Sequence, residues 1–194
     1  MAVSQIGVEQ LSLDEFVRLY DQQPFELVDG ERIPLSPTVQ DHNVTTSTLF
    51  RVLIMHVHPN GLGEVFVEAP FVLEYSKNWV KGSRTPDLMF VRADRLASYR
   101  EANPDWRKKP LVLVPDLAIE IVSQNDSYSD VEAKAEGYLQ DGVRLVWIFD
   151  PQRKKIAVHE IGSKSYTVLS EEDTLTGGDV IPGFEVAVKA LFES

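Results

Sequence analysis

The sequence PDLAIEIVSQND, from Pro115 to Asp126, contains the segment that most clearly predicts a buried central strand. Its residues from Leu117 to Val122 are all apolar except Glu120. A short apolar run of this length, with β-branched residues, predicts a strand that is covered on both faces of its sheet. Such a strand is an unfavourable place for a carboxylate, and the position of Glu120 therefore requires an explanation.

Alternate residues of a strand face opposite sides of the sheet, which places Glu120 between Ala118 and Val122 on one face. Burying an unpaired carboxylate costs several kcal/mol, so Glu120 needs a metal ion, a basic side chain or a hydrogen-bond network. A structural ion pair and a functional site are both compatible with this strand alone.

A second apolar segment, TPDLMFV at residues 85–91, also contains a single acid, Asp87. We expect a strand at 86–91 that carries Asp87 on the same face as Met89 and Val91. If this strand pairs with the Glu120 strand, the two carboxylates converge at one end of the sheet. Two neighbouring carboxylates repel each other, and a divalent cation between them relieves the repulsion.

A helix is predicted at about 130–140, with Ser129 as N-cap and Glu132 at the third position of a capping box. Its buried stripe consists of Val131, Ala135, Tyr138 and Leu139. Lys134 lies about 85° from the centre of that stripe at about 100° per residue, where a long side chain can reach the edge of the sheet. An exposed surface lysine is the alternative.

The composition limits the remaining possibilities. The 194 residues are 43% hydrophobic and 25% charged, as in a globular protein, and no apolar run is long enough to span a membrane. We expect no signal peptide, and the absence of cysteine fits a cytoplasmic protein. Any metal ligands would be oxygen or imidazole, and oxygen ligands favour Mg²⁺ or Mn²⁺.

The net charge of −11 argues against a surface that binds phosphate everywhere, although local basic patches remain possible. One basic cluster lies in 92–109, and it consists of Arg92, Arg95, Arg100, Arg107, Lys108 and Lys109. A second cluster, Arg153 to Lys155, is predicted to be a hairpin turn.

The other elements follow from periodicity and turn residues. Helices are predicted at 11–20, with Ser12 as N-cap, and at 41–58. Strands are predicted around the turn Asp29-Gly30, at 64–68, 71–75, 111–122, 144–149, 156–160 and 166–169, with a loop at 76–84 and an insertion or short helix at 92–110.

These elements predict a single domain over residues 1–194 of mixed α/β (α+β) class, with a mixed β-sheet flanked by helices. We divide it into N-terminal helix and hairpin elements at 10–40, a core at 41–150 and C-terminal strands at 151–194.

The ordered set of Pro86-Asp87, AIEIV with Glu120, and Lys134 on the following helix resembles the PD-(D/E)xK nuclease superfamily. More narrowly, it resembles the family described as "putative restriction endonuclease", over about residues 10–190. The resemblance includes ELVDGERIPLSPTVQDHN, RTPDLMFV, KAEGYLQDGVRLVWIFDP and IPGFEV. Val122 stands where the superfamily motif has lysine, and in the narrower family the lysine comes from the next helix, as Lys134 does here.

The resemblance implies a restriction-endonuclease-like fold and a Mg²⁺- or Mn²⁺-dependent phosphodiesterase acting on nucleic acid, with DNA as the expected substrate. Asp87, Glu120 and the carbonyl of Ile121 would hold the metal, and Lys134 would orient the attacking water. Glu31 matches a family acid and His42 a family histidine, and both are candidate site residues.

Three functions stay open at this point. The first is an endonuclease, for which a homodimer or higher homo-oligomer is expected because cutting a duplex needs two sites. The second is a catalytically weak or inactive nuclease-like protein that binds nucleic acid or a protein partner. The third is a purely structural homo-oligomer.

Overall fold

A computed structural model describes residues 11–76, 78–123 and 126–193. The helices are α1 (Leu13–Gln22), α2 (Gln40–Val57), α3 (Ala93–Ala102), α4 (Tyr128–Gln140) and α5 (Val188–Phe192), with a 3-10 helix at Trp106–Lys108. The first seven strands are β1 (Phe25–Val28), β2 (Glu31–Pro34), β3 (Gly63–Val67), β4 (Phe71–Val72), β5 (Tyr75–Ser76), β6 (Trp79–Val80) and β7 (Ser83–Arg84). The others are β8 (Leu88–Arg92), β9 (Leu117–Ile121), β10 (Leu145–Asp150), β11 (Lys155–Glu160), β12 (Thr167–Leu169), β13 (Thr174–Thr176) and β14 (Glu185–Ala187).

The chain divides into two compact units. Unit 1 comprises 1–36, 70–85 and 105–113, and unit 2 comprises 37–69, 86–104 and 114–194. The mixed α/β class is confirmed. The single domain over 1–194 stays a prediction, and residue 10, where its first element was placed, lies outside the described residues.

Unit 1 contains an antiparallel sheet in the order β2-β1-β7-β4 and the small β5-β6 pair. Helix α1 begins at the predicted Ser12, whose side chain forms a capping box with Glu15. The core of this unit combines Phe16 and Phe25, which contact edge-to-face with ring centroids 5.3 Å apart, with the aliphatic side chains of Leu11, Leu27, Val72 and Val80. The predicted hairpin turns at Asp29 and Gly30, which both have the positive φ that such a turn requires.

Unit 2 contains a mixed sheet in the order β12-β11-β10-β9-β8-β3. Strands β9 and β10 are parallel and are connected through α4, while β8 pairs antiparallel with β9. All five residues of β9 are buried, as predicted. Leu117, Ile119 and Ile121 belong to the core cluster that includes Leu49 and Leu53 of α2, so Glu120 occupies the opposite face.

Several local predictions were wrong. The strand predicted at 111–122 begins only at Leu117, because Leu111 forms an isolated bridge to Phe71 in unit 1. The loop predicted at 76–84 contains β6, which pairs locally with β5, and β7, which pairs over long range with β1.

The predicted cap of α4 was also wrong. Helix α4 begins after Ser127, whose hydroxyl accepts from the N–H of Asp130, and not after Ser129 with Glu132. Within the described part of the chain, no helix is both long and apolar enough to cross a membrane.

Candidate active site

The pairing of β8 with β9 brings the two single acids to one end of the sheet. The register aligns Leu88 with Ile119. Continuing that antiparallel register by one residue places Asp87 opposite Glu120, and directly opposite residues of antiparallel strands carry their side chains on the same face. The convergence expected from the sequence therefore agrees with the strand register.

Asp87 is held by two donors. Its Oδ2 accepts a hydrogen bond of 2.6 Å from the N–H of Ile121, and its Oδ1 lies 3.1 Å from Nε2 of His42. The Asp87 side chain is 16% exposed. Because Ile121 follows Glu120 directly, the first bond fixes the Asp87 carboxylate to the main chain beside the second acid.

His42 lies in the first turn of α2 and is buried. The hydroxyl of its neighbour Thr46 donates to the carbonyl of His42 at 2.9 Å, and the same oxygen lies 3.4 Å from Nδ1 of His42. With its hydrogen donated to the carbonyl, the Thr46 oxygen is an acceptor for Nδ1–H. Both ring nitrogens then face acceptors, which is the arrangement that suits a protonated imidazole.

The electrostatics agree with this geometry. The hydrogen bond to Asp87 raises the pKa of His42 above its ordinary value, more than burial lowers it. His42 was expected as a site neighbour, and the structure places it on the proposed metal ligand Asp87.

Glu120 is 7% exposed and is bonded by two residues of α4. Nζ of Lys134 donates to Oε2 at 2.9 Å, and the hydroxyl of Tyr138 donates to Oε1 at 2.5 Å. The Lys134 side chain is 43% exposed. Its aliphatic part extends past the edge of the buried face of α4, and its ammonium contacts Glu120 in the sheet. Its contact with Glu120 agrees with the helical spacing, while its catalytic role stays a prediction.

A cavity of about 30 Å³ adjoins this pair. Glu120 and Lys134 line it together with Asp126 and Asp130. A volume of this size is comparable with that of one water molecule. The carboxylate and the ammonium therefore border a space that is accessible to a small ion or to water.

The donor set fits Mg²⁺ or Mn²⁺. Among the residues that the structure describes, no group of three or more His, Asp or Glu side chains is arranged to hold a metal ion. Mg²⁺ is nevertheless commonly bound through one or two carboxylates, with water completing its coordination. Each carboxylate has about four lone-pair positions, so Asp87 and Glu120 can accept their hydrogen bonds and still ligate a cation.

Glu31 lies in unit 1, at the start of the exposed strand β2, where it pairs with Val28. The other candidate residues all lie in unit 2. The contribution of Glu31 to a metal site stays a prediction, as does that of the Ile121 carbonyl.

Two contacts of the site were not predicted from the sequence. Tyr138 was assigned only to the buried stripe of α4, and its hydroxyl bonds Glu120. Its spacing of i+4 from Lys134 was a usable signal, because residues four apart lie on one side of a helix. The second is the N–H of Ile121, for which side-chain patterns give no signal.

Comparison with known families identifies the chain. The family described as "Putative restriction endonuclease", also called Uma2, matches residues 13–189. The chain belongs to this family. The Uma2 match includes Glu31 as well as Asp87, Glu120 and Lys134. Membership of the family supports nuclease activity in general.

A solved structure has the same fold as this Uma2 chain. It is described as a putative nuclease of the DUF820 family from Anabaena variabilis, and it is 20% identical with a TM-score of 0.76. The similarity covers 94% of this chain and 97% of the other, so it confirms the nuclease-like fold. No curated protein matches this chain.

Proposed function

We propose that the protein is a Mg²⁺- or Mn²⁺-dependent endonuclease that hydrolyses phosphodiester bonds in DNA. The observation that carries the proposal is the contact of 2.9 Å between the Lys134 ammonium and Glu120, beside Asp87. Two carboxylates can hold a divalent metal that polarises a phosphoryl oxygen and activates water, and an adjacent cation can stabilise the charge that develops during phosphodiester hydrolysis. Membership of the "putative restriction endonuclease" family supports the same activity.

In this proposal Asp87 and Glu120 hold the metal together with the carbonyl of Ile121. When bound, the ion supplies a Lewis acid for the scissile phosphate and lowers the pKa of its water. His42 and the N–H of Ile121 hold the Asp87 carboxylate in place.

Lys134 has two roles in the proposal. Its ammonium donates hydrogen bonds to the attacking water, and it neutralises the negative charge that develops on the phosphoryl oxygens. Tyr138 and Lys134 bond different oxygens of Glu120, so they set the orientation of this carboxylate.

The wider proposal includes Glu31 as an additional acid of the site, a homodimer that supplies two sites for a duplex, and a cytoplasmic location. The dimer follows from the need to cut two strands, and symmetric pairing is the commonest route to it. The location is compatible with a sequence that contains no cysteine and therefore no disulfide.

A cleavage assay tests the proposal. Single-stranded, double-stranded and methylated DNA and RNA are incubated with the protein in Mg²⁺, in Mn²⁺ and in EDTA. We expect cleavage of DNA in either metal and none in EDTA. Lys134→Met is expected to lower the rate by about 10²- to 10³-fold, the cost of removing one donor that stabilises developing charge.

Lys155→Met is the control, because Lys155 is an exposed lysine on β11. Cleavage by Lys134→Met at the wild-type rate would contradict the role of this residue. Absence of cleavage of every substrate by the wild-type protein would favour the inactive, nuclease-like alternative.

A further inference from the structure

Unit 1 contains a local excess of positive charge in a chain whose net charge is −11. Its segments 70–85 and 105–113 contain six cations against two acids, Glu74 and Asp105. The cations are Lys77, Lys81, Arg84, Arg107, Lys108 and Lys109. Two of the three tryptophans of the chain, Trp79 and Trp106, lie in the same segments.

The structure joins these two segments. The N–H of Val72 donates to the carbonyl of Leu111 at 2.8 Å. Nζ of Lys109 lies 5.8 Å from the ring centroid of Tyr75 and 3.5 Å from its hydroxyl. The side chains of Tyr75 and Lys109, one from each segment, therefore meet in unit 1.

The 3-10 helix adds a second pair of this kind. The guanidinium of Arg107 lies 5.0 Å from the ring centroid of Trp106. Arg107 and Lys108 are exposed, and Trp106 is partly exposed. Within the described residues, neither Arg107 nor Lys108 forms an ion pair, whereas Lys109 pairs with Asp105 at 3.0 Å.

Other basic clusters differ in this respect. In unit 2, Arg95 pairs with the buried Asp116 at 3.0 Å, and Arg100 lies 3.8 Å from Glu64. In the hairpin turn between β10 and β11, Arg153 pairs with Asp150 at 2.9 Å. The cations of the basic cluster predicted at 92–109 divide between the two units: Arg92, Arg95 and Arg100 belong to unit 2, where each lies near an acid, and Arg107, Lys108 and Lys109 belong to unit 1.

We propose that the surface formed by Tyr75, Trp106, Arg107, Lys108 and Lys109, which we call the aromatic-basic patch, binds single-stranded nucleic acid. Exposed cations neutralise phosphates, and the rings of Tyr75 and Trp106 stack on unpaired bases, whose faces are available only outside a duplex. Tyr75 is 38% exposed, which leaves room for this contact. The choice of nucleic acid as the ligand rests on the proposed nuclease function. The patch in turn indicates that the substrate of this nuclease is an unpaired strand.

A binding measurement in EDTA tests the patch without cleavage. The full chain is titrated into a fluorescein-labelled 20-nucleotide thymidine strand, and into a duplex of the same length, and anisotropy is followed at several salt concentrations. The wild-type protein is expected to bind the single strand more tightly than the duplex.

The variants separate charge from stacking. Trp106→Ala is expected to weaken single-strand binding by about 5- to 150-fold, the loss of one stacked base. Arg107→Ala/Lys108→Ala is expected to weaken binding and to lower the slope of log K against log salt by about 1.4, at about 0.7 for each lost phosphate contact. The matched control is Arg153→Ala/Lys155→Ala, which removes two exposed cations from the other basic turn and is expected to bind as the wild type does.

The outcomes distinguish this inference from the proposed function. Equal binding by the wild type and by Arg107→Ala/Lys108→Ala would overturn the patch, and so would tighter binding of the duplex than of the strand. The variant Arg107→Ala/Lys108→Ala tests binding through the patch even if Trp106→Ala does not fold. EDTA prevents metal-dependent cleavage, so binding to the patch is measured independently of nuclease activity. If the protein binds single strands through the patch but cleaves no substrate in Mg²⁺ or Mn²⁺, the proposed nuclease is refuted and the patch is supported.

Discussion

Asp87 and Ile121 are joined by a hydrogen bond of 2.6 Å from a main-chain N–H to a carboxylate. At the same position the carbonyl of Asp87 accepts from the N–H of Glu68 at 3.0 Å. The side chain of Asp87 thus forms a hydrogen bond to the last residue of β9, and its main chain forms one to the residue that follows β3. This double attachment fixes the first carboxylate of the site relative to Glu120, the residue before Ile121.

Tyr138→Phe tests whether the second carboxylate is held by α4. The change keeps the buried ring and removes the donor to Oε1 of Glu120. We expect the free energy of unfolding to fall by about 1.5–3 kcal/mol, as for hydrogen bonds to charged groups. Urea unfolding measures this loss, and the cleavage rate is expected to fall with it because Glu120 loses an orienting bond.

Tyr20→Phe is the matched control for Tyr138→Phe. The hydroxyl of Tyr20 lies 3.3 Å from that of Thr85, a neutral partner. Removing it is expected to cost about 0.5–1.5 kcal/mol and to leave the cleavage rate unchanged. If the two variants lose equal stability and equal activity, Tyr138 has no special relationship with Glu120.

His42→Phe tests the support of Asp87. Phenylalanine fills the buried space of the imidazole but cannot donate to Oδ1 of Asp87. We expect the free energy of unfolding to fall by about 1–3 kcal/mol, since a partly buried carboxylate loses a donor, and cleavage to weaken. His42→Gln restores a side-chain N–H, so partial recovery of cleavage is the expected result, and no recovery would indicate that packing rather than the hydrogen bond matters.

The local features of this fold were predictable from the sequence. Ser12 and Glu15 cap α1 through bonds within four residues, and Glu120 stands out because every neighbour on its strand is apolar. Where several local solutions were available, the prediction was wrong. Ser127 and Ser129 are both good caps for α4, and only the structure shows that the side chain of Ser127 accepts from Asp130.

Long-range partners could not be predicted by the same means. Leu111 is as apolar as Leu117, but Leu111 belongs to unit 1, where it pairs with Phe71, and Leu117 belongs to the central sheet of unit 2. The hydroxyl contact of Tyr138 was missed for a related reason: periodicity assigns a residue to a helix face but does not identify what its polar end contacts, and only the i+4 spacing from Lys134 gave a signal. The contact of Lys134 with Glu120 could be predicted from the sequence because the two residues lie on either side of one strand-to-helix connection.

His159 gives the protein a dependence on pH that is separate from the site. Burial lowers the pKa of His159, which lies on β11 and stacks on Tyr166 with ring centroids 4.5 Å apart. Below the unfolded pKa of about 6.5 the unfolded chain binds a proton that the folded chain resists. The free energy of unfolding therefore falls as the pH falls from 6.5 towards the lowered pKa of the folded state.

His159→Phe keeps the aromatic stack and removes this titration. Urea unfolding at pH 7.5 and pH 5 is expected to show a smaller loss of stability on acidification in the variant than in the wild type. The titration of His42, whose pKa is raised, is common to both proteins and cancels in the difference. An identical pH dependence of the two proteins would contradict the assignment to His159.

The most direct test of the site is a Mn²⁺ titration of the wild type, Asp87→Asn and Glu120→Gln, in which electron paramagnetic resonance measures the free ion. Glu160→Gln, a change of an exposed acid on β11, is the control. If Asp87 and Glu120 together hold the cation, the wild type and the control bind one more equivalent than either site variant. Equal Mn²⁺ binding by all four proteins would contradict the metal site at this end of the sheet.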